Sequence, residues 1–97
     1  MDERFRIEVE TLARALDQLD YFEVLKVPRD AAPAEIKAAY YRESRAWHPD
    51  RFAAHPDAGL RDGVGRVYRR VNEAWTVLRD DARRRKYTAD VAGPERA

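Results

Sequence analysis

The chain has 97 residues, of which 44% are hydrophobic and 38% are charged, a balance typical of one small globular domain. No apolar run approaches the roughly 18 residues of a transmembrane helix, and the charged N-terminus MDERFRIEVE is not a secretory signal. Because the chain has no cysteine, disulfide scaffolds, thiolate zinc sites and cysteine nucleophiles are excluded, and we expect a cytoplasmic protein.

The net charge of +1 is the sum of an acidic N-terminal part and a basic remainder of the chain. Residues 1–30 carry five basic and eight acidic side chains, a net charge of −3, whereas residues 31–97 carry a net charge of +4. Sixteen of the 19 basic residues are Arg, a side chain suited to forked pairing with carboxylates. The near-zero total argues against a nucleic-acid-binding protein, and we expect neither nucleic acid nor membrane as a partner.

An amphipathic helix is predicted from about residue 3. Its apolar residues recur at alternating spacings of four and three, as in a helix packed on another helix: Phe5, Val9, Leu12, Leu16 and Leu19. Asp20 and Glu23 have the spacing of a capping box, which predicts a second helix from Tyr21. One continuous helix to about Leu25 is the other interpretation.

Two helices at about 33–47 and 58–79 are predicted to form an antiparallel hairpin. The first begins with Pro33 and ends before Pro49, because the residue before a proline avoids the helical conformation. In the second, Gly63 and Gly65 weaken the first turns by ~1 kcal/mol each, so we expect its start to fray. A short closing helix at 81–88, anchored by Tyr87, completes an all-α fold.

One residue on the expected inward faces of the hairpin is charged where an apolar residue is expected. The first helix has the stripe Ile36, Ala39, Tyr40, Glu43 and Trp47, and the second has the stripe Leu60, Val64, Val67, Val71, Ala74 and Leu78. Glu43 places a carboxylate at a core spacing. We expect it at the rim of the core, paired with an Arg.

A long loop joins the two hairpin helices, and long loops on rigid scaffolds often carry function. It contains His48, Asp50, His55 and Asp57, which match metal ligands by type. However, a proline splits each pair, and HExxH spacing and cysteine are both missing, so we expect no metal site. No serine elbow or glycine-rich phosphate loop is visible, so we expect no catalytic residue and no cofactor.

Residues 20–88 resemble the J-domain of DnaJ-type cochaperones. The matching parts occur in the family's order: Tyr21 to Leu25, Glu35-Ile36-Lys37 to Trp47, His48-Pro49-Asp50, Asn72-Glu73-Ala74 to Leu78, and Asp81 to Tyr87. The tripeptide alone is a weak signature, but all the parts together in register are a strong one. The expected organisation is an N-terminal helical extension over 1–19, a J-domain over 20–88 and a frayed tail over 89–97.

The resemblance implies a module that docks on a DnaK-class (heat-shock-70) chaperone and stimulates its ATP hydrolysis, while performing no chemistry itself. The implied docking residues are His48, Pro49, Asp50, Lys37, Tyr41, Arg42, Arg45 and Arg51. Asp50 can accept charge-assisted hydrogen bonds from a partner Arg, and the cations can steer an acidic partner surface. The second tripeptide, His55-Pro56-Asp57, is interpreted as having no part in docking. Its Asp57 is expected to cap the following helix.

The chain departs from the family pattern at four positions. Ala38 and Tyr41 stand where the family is often basic, Lys26 replaces a frequent Gly, and Glu43 replaces a usually apolar residue. The alternative function is a J-like interaction or structural module without ATPase stimulation. In that alternative the N-terminal helix binds a partner or a second copy through residues 1–19, whereas otherwise we expect a monomer.

Overall fold

The computed structural model describes residues 3–91, and all the regular elements in this range are helical. In chain order the α-helices are α1 (Glu3–Ala15), α2 (Tyr21–Leu25), α3 (Pro33–Ala46), α4 (Ala58–Leu78) and α5 (Asp81–Val91). Two short 3-10 helices, Leu16–Gln18 and Pro49–Phe52, follow α1 and α3. The predicted all-α fold is confirmed. No helix within residues 3–91 combines the length and the apolar character needed to cross a membrane.

Two features of the helix boundaries go beyond the sequence analysis. The chain leaves the helical conformation at Leu19 and Asp20, which decides against one continuous helix through residue 25. At the other end, α5 continues to Val91 instead of ending at residue 88, so residues 89–91 of the expected tail are helical. No proline or glycine interrupts the sequence there. Residues 92–97 lie outside the described residues.

The start of α2 is fixed by a reciprocal capping box. The Asp20 carboxylate accepts a hydrogen bond from the Glu23 backbone N–H at 2.8 Å, and the Glu23 carboxylate accepts one from the Asp20 N–H at 2.9 Å. Arg29 donates to the other oxygen of buried Asp20 at 3.1 Å. The predicted helix start at Tyr21 is therefore confirmed. The carboxylates of Asp20 and Glu23 both find hydrogen-bond donors nearby in the chain.

The hairpin of α3 and α4 forms the centre of the fold. The Tyr40 ring stacks on Trp75 at 4.8 Å, and the Tyr40 hydroxyl donates to the Asn72 side chain at 2.7 Å. Just beyond the end of α3, His48 meets Tyr68, which precedes Asn72 and Trp75 on α4, so the two helices run antiparallel, as predicted. The predicted stripe of α4 is entirely buried: Leu60, Val64, Val67, Val71, Ala74 and Leu78.

Helix α1 packs against α4 and contributes to the same core. Val9 is fully buried, and Gly63 of α4 approaches it so closely that a Cβ at position 63 would lie 2.8 Å from Val9 Cγ1. Of the predicted apolar stripe of α1, Val9 and Leu16 are buried within the chain, whereas Phe5, Leu12 and Leu19 are partly buried. Gly63 allows this close approach, and α4 begins in full at Ala58, where Asp57 accepts a hydrogen bond from the Leu60 N–H at 3.1 Å. The expected fraying of the α4 start is therefore wrong.

Helix α5 is held by its first turn and by one tyrosine rather than by a buried face. Asp80 accepts a hydrogen bond from the Arg83 backbone N–H at 2.9 Å, and this bond lowers the pKa of the Asp80 carboxyl. The Tyr87 ring stacks on Tyr21 at 4.6 Å, and its hydroxyl accepts a hydrogen bond from the Tyr21 backbone N–H. Burial and a hydrogen bond to Glu73 raise the pKa of the Tyr21 hydroxyl to about 12.

The glycines of α4 provide a matched test of the α1 packing. Gly63→Ala places a methyl group against the β-branched side chain of Val9. Such overpacking lowers the free energy of unfolding by about 1–3 kcal/mol, which offsets or exceeds the gain of ~1 kcal/mol in helix propensity. Gly65→Ala meets no atom within 4 Å, so it stabilises the domain by up to about 1 kcal/mol. Urea denaturation followed by circular dichroism measures both variants.

Val9→Ala removes the clash but also two buried methyl groups, so the double variant Gly63→Ala with Val9→Ala should lose less unfolding free energy than the two single variants lose together. Equal stabilisation by alanine at positions 63 and 65 would contradict the close approach of α1 to α4.

Candidate docking site

The His48-Pro49-Asp50 tripeptide forms the turn at the end of α3. His48 has the extended backbone that a following proline imposes, with φ −64° and ψ 127°. Pro49 is the first residue of the 3-10 helix Pro49–Phe52, a position where its missing N–H leaves no bond unmade. The proline therefore ends one helix and begins the next, and this fixes the direction of the loop.

A local hydrogen bond and one ring contact hold His48. Its Nδ1 accepts a hydrogen bond from the Asp50 backbone N–H at 3.2 Å, so in the neutral ring the proton is on Nε2. The ring meets Tyr68 of α4 edge to face, with centroids 5.1 Å apart. The sequence analysis did not single out Tyr68. It follows the buried stripe residue Val67, but spacing alone does not indicate which loop residue it meets.

The Asp50 carboxylate projects into solvent. Its side chain is 91% exposed, and the His48 ring lies beside it, with Nδ1 3.8 Å from a carboxylate oxygen. A carboxylate in this setting keeps its capacity to accept hydrogen bonds from another molecule. The turn thus presents one solvated acceptor at the end of α3, on a backbone that Pro49 restrains.

A basic groove of about 570 Å³ lies beside this turn. Its lining residues are Arg42, Ser44, Arg45, Ala46, His48 and Arg51. Three of the four predicted docking cations therefore meet at one place, next to the tripeptide. An acidic group would be attracted to this groove.

Two of these cations also have structural roles within the domain. Arg42 donates to the Leu25 carbonyl at 3.0 Å and to the Glu43 carboxylate at 3.0 Å. Arg51 donates to the Ala46 carbonyl at 2.9 Å, at the end of α3, where a cation also complements the helix dipole. Arg45 is exposed, and its side chain makes no hydrogen bond or ion pair within residues 3–91. Arg45 is therefore the freer of the groove cations.

Lys37 and Tyr41 lie further back along α3. The Lys37 ammonium lies 6.0 Å from the centre of the Tyr41 ring, at the limit of a cation–π contact. Tyr41 is 48% exposed, which is unusual for a large aromatic side chain in this domain. The predicted docking residues on α3 thus form an exposed strip with aromatic and cationic members.

Glu43 lies in the core and not at its rim, so that expectation is wrong. It is only 4% exposed, and its carboxylate receives donors from Arg42 and from Trp47 Nε1 at 3.3 Å. The predicted Arg partner is confirmed. The Lys26 ammonium approaches to 3.7 Å from outside, so two of the departures from the family pattern, Lys26 and Glu43, pair with each other. A buried carboxylate is tolerated here because several donors surround it.

The second tripeptide has similar local geometry but a different role. His55 Nδ1 accepts a hydrogen bond from the Asp57 N–H at 3.1 Å, as His48 does from Asp50. Here, however, the carboxylate of Asp57 caps α4, as predicted, and is not left free. Within the described part of the chain, no group of three or more His, Cys, Asp or Glu side chains is arranged to hold a metal ion.

Comparison with known proteins identifies the family. Residues 20–88 match the DnaJ domain. The chain belongs to the DnaJ domain family. The matched range contains α2, α3 and α4 and most of α5, together with the His48-Pro49-Asp50 turn and the basic groove. Helix α1 lies before it.

The similar proteins are bacterial DnaJ chaperones. The chaperone protein DnaJ of Thermotoga petrophila is 42% identical over 71 residues, which cover 73% of this chain and 18% of that protein. The DnaJ of Oleidesulfovibrio alaskensis is 42% identical over 72 residues, and the DnaJ 1 of Aquifex aeolicus is 43% identical over 70 residues. The chain thus matches less than a fifth of each relative's length, at 18% and 17% for these two. The similarity concerns the J-domain alone.

Neighbouring arginines of the J-domain should differ sharply in their effect on stability. Arg42→Ala removes the bond to the Leu25 carbonyl and a donor of buried Glu43, so the free energy of unfolding should fall by about 1–3 kcal/mol. Arg45→Ala removes no internal partner and should change it by less than about 0.5 kcal/mol. Chemical denaturation of both variants measures the difference, and equal losses would contradict these structural roles.

Proposed function

We propose that this J-domain docks on a cytoplasmic DnaK-class (heat-shock-70) chaperone and stimulates ATP hydrolysis by that partner, without catalysing a reaction itself. The observation that carries the proposal is the solvated Asp50 carboxylate, fixed on a proline turn beside a basic groove. It lies within the range that matches the DnaJ domain.

The Asp50 carboxylate is suited to bind a cationic group of the partner. It is held on a short turn, so little conformational freedom remains to be lost when a partner Arg or backbone N–H binds it. A hydrogen bond to an ionised acceptor is about twice as strong as a neutral one. This contact would therefore supply much of the specificity of docking.

The cations of α3 and the groove are suited to steer an acidic surface towards that turn. Lys37 and Arg45 are exposed, while Arg42 and Arg51 add positive potential from fixed positions. Attraction of this kind accelerates encounter and weakens as salt increases. Docking should accordingly depend on charge and orientation rather than on a large apolar interface.

Asp50→Asn should abolish the stimulation of steady-state ATP hydrolysis by a DnaK-class chaperone. The substitution removes the charge but keeps the shape. The exposed carboxylate accepts no hydrogen bond within residues 3–91 and only approaches the His48 ring, at 3.8 Å, so the melting temperature should change little. Asp62→Asn is the matched control, because Asp62 is an exposed carboxylate on α4 with no hydrogen bond recorded within residues 3–91.

Stimulation by the Asp62→Asn variant should equal that of the wild-type domain. Full stimulation by Asp50→Asn would contradict the proposed role of the carboxylate. A wild-type domain that stimulates no DnaK-class chaperone would contradict the proposed function and favour a J-like interaction module.

Lys37→Ala and Arg45→Ala should each raise the concentration of domain that gives half-maximal stimulation by about twofold to fivefold. Neither side chain holds the fold, so maximal stimulation and stability should change little. The control is Arg69→Ala, which removes an exposed cation near Leu16 and Asp17, on the α1 side of α4.

Titrations at low and high salt complete this experiment. The difference between each α3 variant and the wild type should shrink as the salt concentration rises, because screening already weakens the wild-type attraction. An Arg69→Ala effect as large as that of Arg45→Ala would show that net charge alone matters and that the α3 strip does not.

A further inference from the structure

The first turns of α1 contact the loop that carries the tripeptide. The Phe5 ring stacks on Trp47, with centroids 6.2 Å apart and planes 20° apart, and on Phe52, at 5.6 Å and 10°. Trp47 precedes His48-Pro49-Asp50, and Phe52 follows it by two residues. One aromatic side chain of α1 therefore contacts the chain on both sides of the proposed docking turn.

Other contacts fix α1 in this place. The neighbouring Arg6 reaches Asp57 at the far end of the loop, with 3.8 Å between its Nε and the carboxylate. Further along α1, Val9 packs closely against Gly63 of α4. Arg66 of α4 also donates to the Ala13 carbonyl at 3.4 Å. The helix is thus anchored on the rigid centre of the domain while its first turns touch the loop.

The turn itself has few internal bonds. The Asp50 N–H bonds to the His48 ring, and the Arg51 N–H bonds to the His48 carbonyl at 3.0 Å. The Arg51 side chain also ties the turn to the Ala46 carbonyl at 2.9 Å. The position of the Asp50 backbone therefore depends also on the packing of the two flanking residues, Trp47 and Phe52. Both are almost fully buried, at 7% and 4% exposure, and Phe5 covers both.

We propose that α1 is a brace that positions the docking loop, with Phe5 as its positioning residue. Phe5 touches no partner in this role and acts through Trp47 and Phe52. The proposal rests on the proposed function for its consequence, which is efficient stimulation of the partner ATPase. It also assigns a role to a helix that lies before the range matching the DnaJ domain.

The functional test compares Phe5→Ala and Phe5→Leu with Ile7→Ala in the full chain. Ile7 is on the same helix but is 56% exposed, so its truncation controls for changes in α1 away from the loop. Both Phe5 variants should lower maximal stimulation by about twofold to tenfold, since they lose the ring contacts. The half-maximal concentration should change by less than about twofold, because the cations of α3 are untouched.

Phe5→Tyr is the conservative variant, and its stacked ring should restore maximal stimulation to near the wild-type value. A merely structural role would be indicated if stimulation followed the melting temperature across all four variants. Full stimulation by folded Phe5→Leu would overturn the proposal.

The second test does not depend on the partner. Amide hydrogen exchange, measured by NMR, should show that Phe5→Leu reduces protection of the Asp50 and Arg51 amides more than that of the core amide of Val71. Equal changes at all three, or none at the loop, would overturn the brace. If the wild type stimulates no chaperone but the loop amides lose protection selectively, the proposed function fails and the brace stands.

Discussion

The buried face of α4 organises the molecule, because each of the other four α-helices packs against it. Its valines and leucines are almost wholly removed from water, and Gly63 allows α1 to come close on one side. On another side, α3 lies antiparallel along it, with Tyr40 stacked on Trp75. A helix with neighbours on several sides has little freedom to shift, since a close-packed protein interior resists small displacements.

The position of the His48-Pro49-Asp50 turn, the proposed docking site, follows from this arrangement. Pro49 ends α3 at a fixed point, and Phe52, four residues after His48, returns the chain to the core. The His48 ring then meets Tyr68 on α4. The segment between these contacts is short, and the Asp50 side chain on it is exposed to solvent. An exposed charge can be placed accurately on a loop in this way, because its neighbours in the chain are buried.

Local chemistry was predictable from the sequence, whereas contacts between distant segments were not. The capping box at Asp20 and Glu23 and the cap at Asp57 depend on residues three positions apart, so spacing alone identifies them. The burial of Glu43 depends on donors from Lys26, Arg42 and Trp47 together, and periodicity cannot show that they converge. For the same reason the stack of Phe5 on Trp47 and Phe52 had no counterpart in any pattern. Its partners lie more than forty residues away along the chain.

The abundance of arginine has a structural cause besides the proposed docking role. In each of the first four helices, an arginine from another part of the chain donates to a carbonyl in or near the last turn. The pairs are Arg66 with Ala13, Arg42 with Leu25, Arg51 with Ala46, and Arg84 with Leu78. These carbonyls have no partner within their own helix, and a planar cation with several donors can satisfy them while it complements the helix dipole. Charge counted along the sequence therefore overstates what a partner meets. The cations of α3 and its groove differ in their contacts: Arg42 and Arg51 join parts of the chain around the turn, while Lys37 and Arg45 are exposed, as the proposed docking on an acidic surface requires.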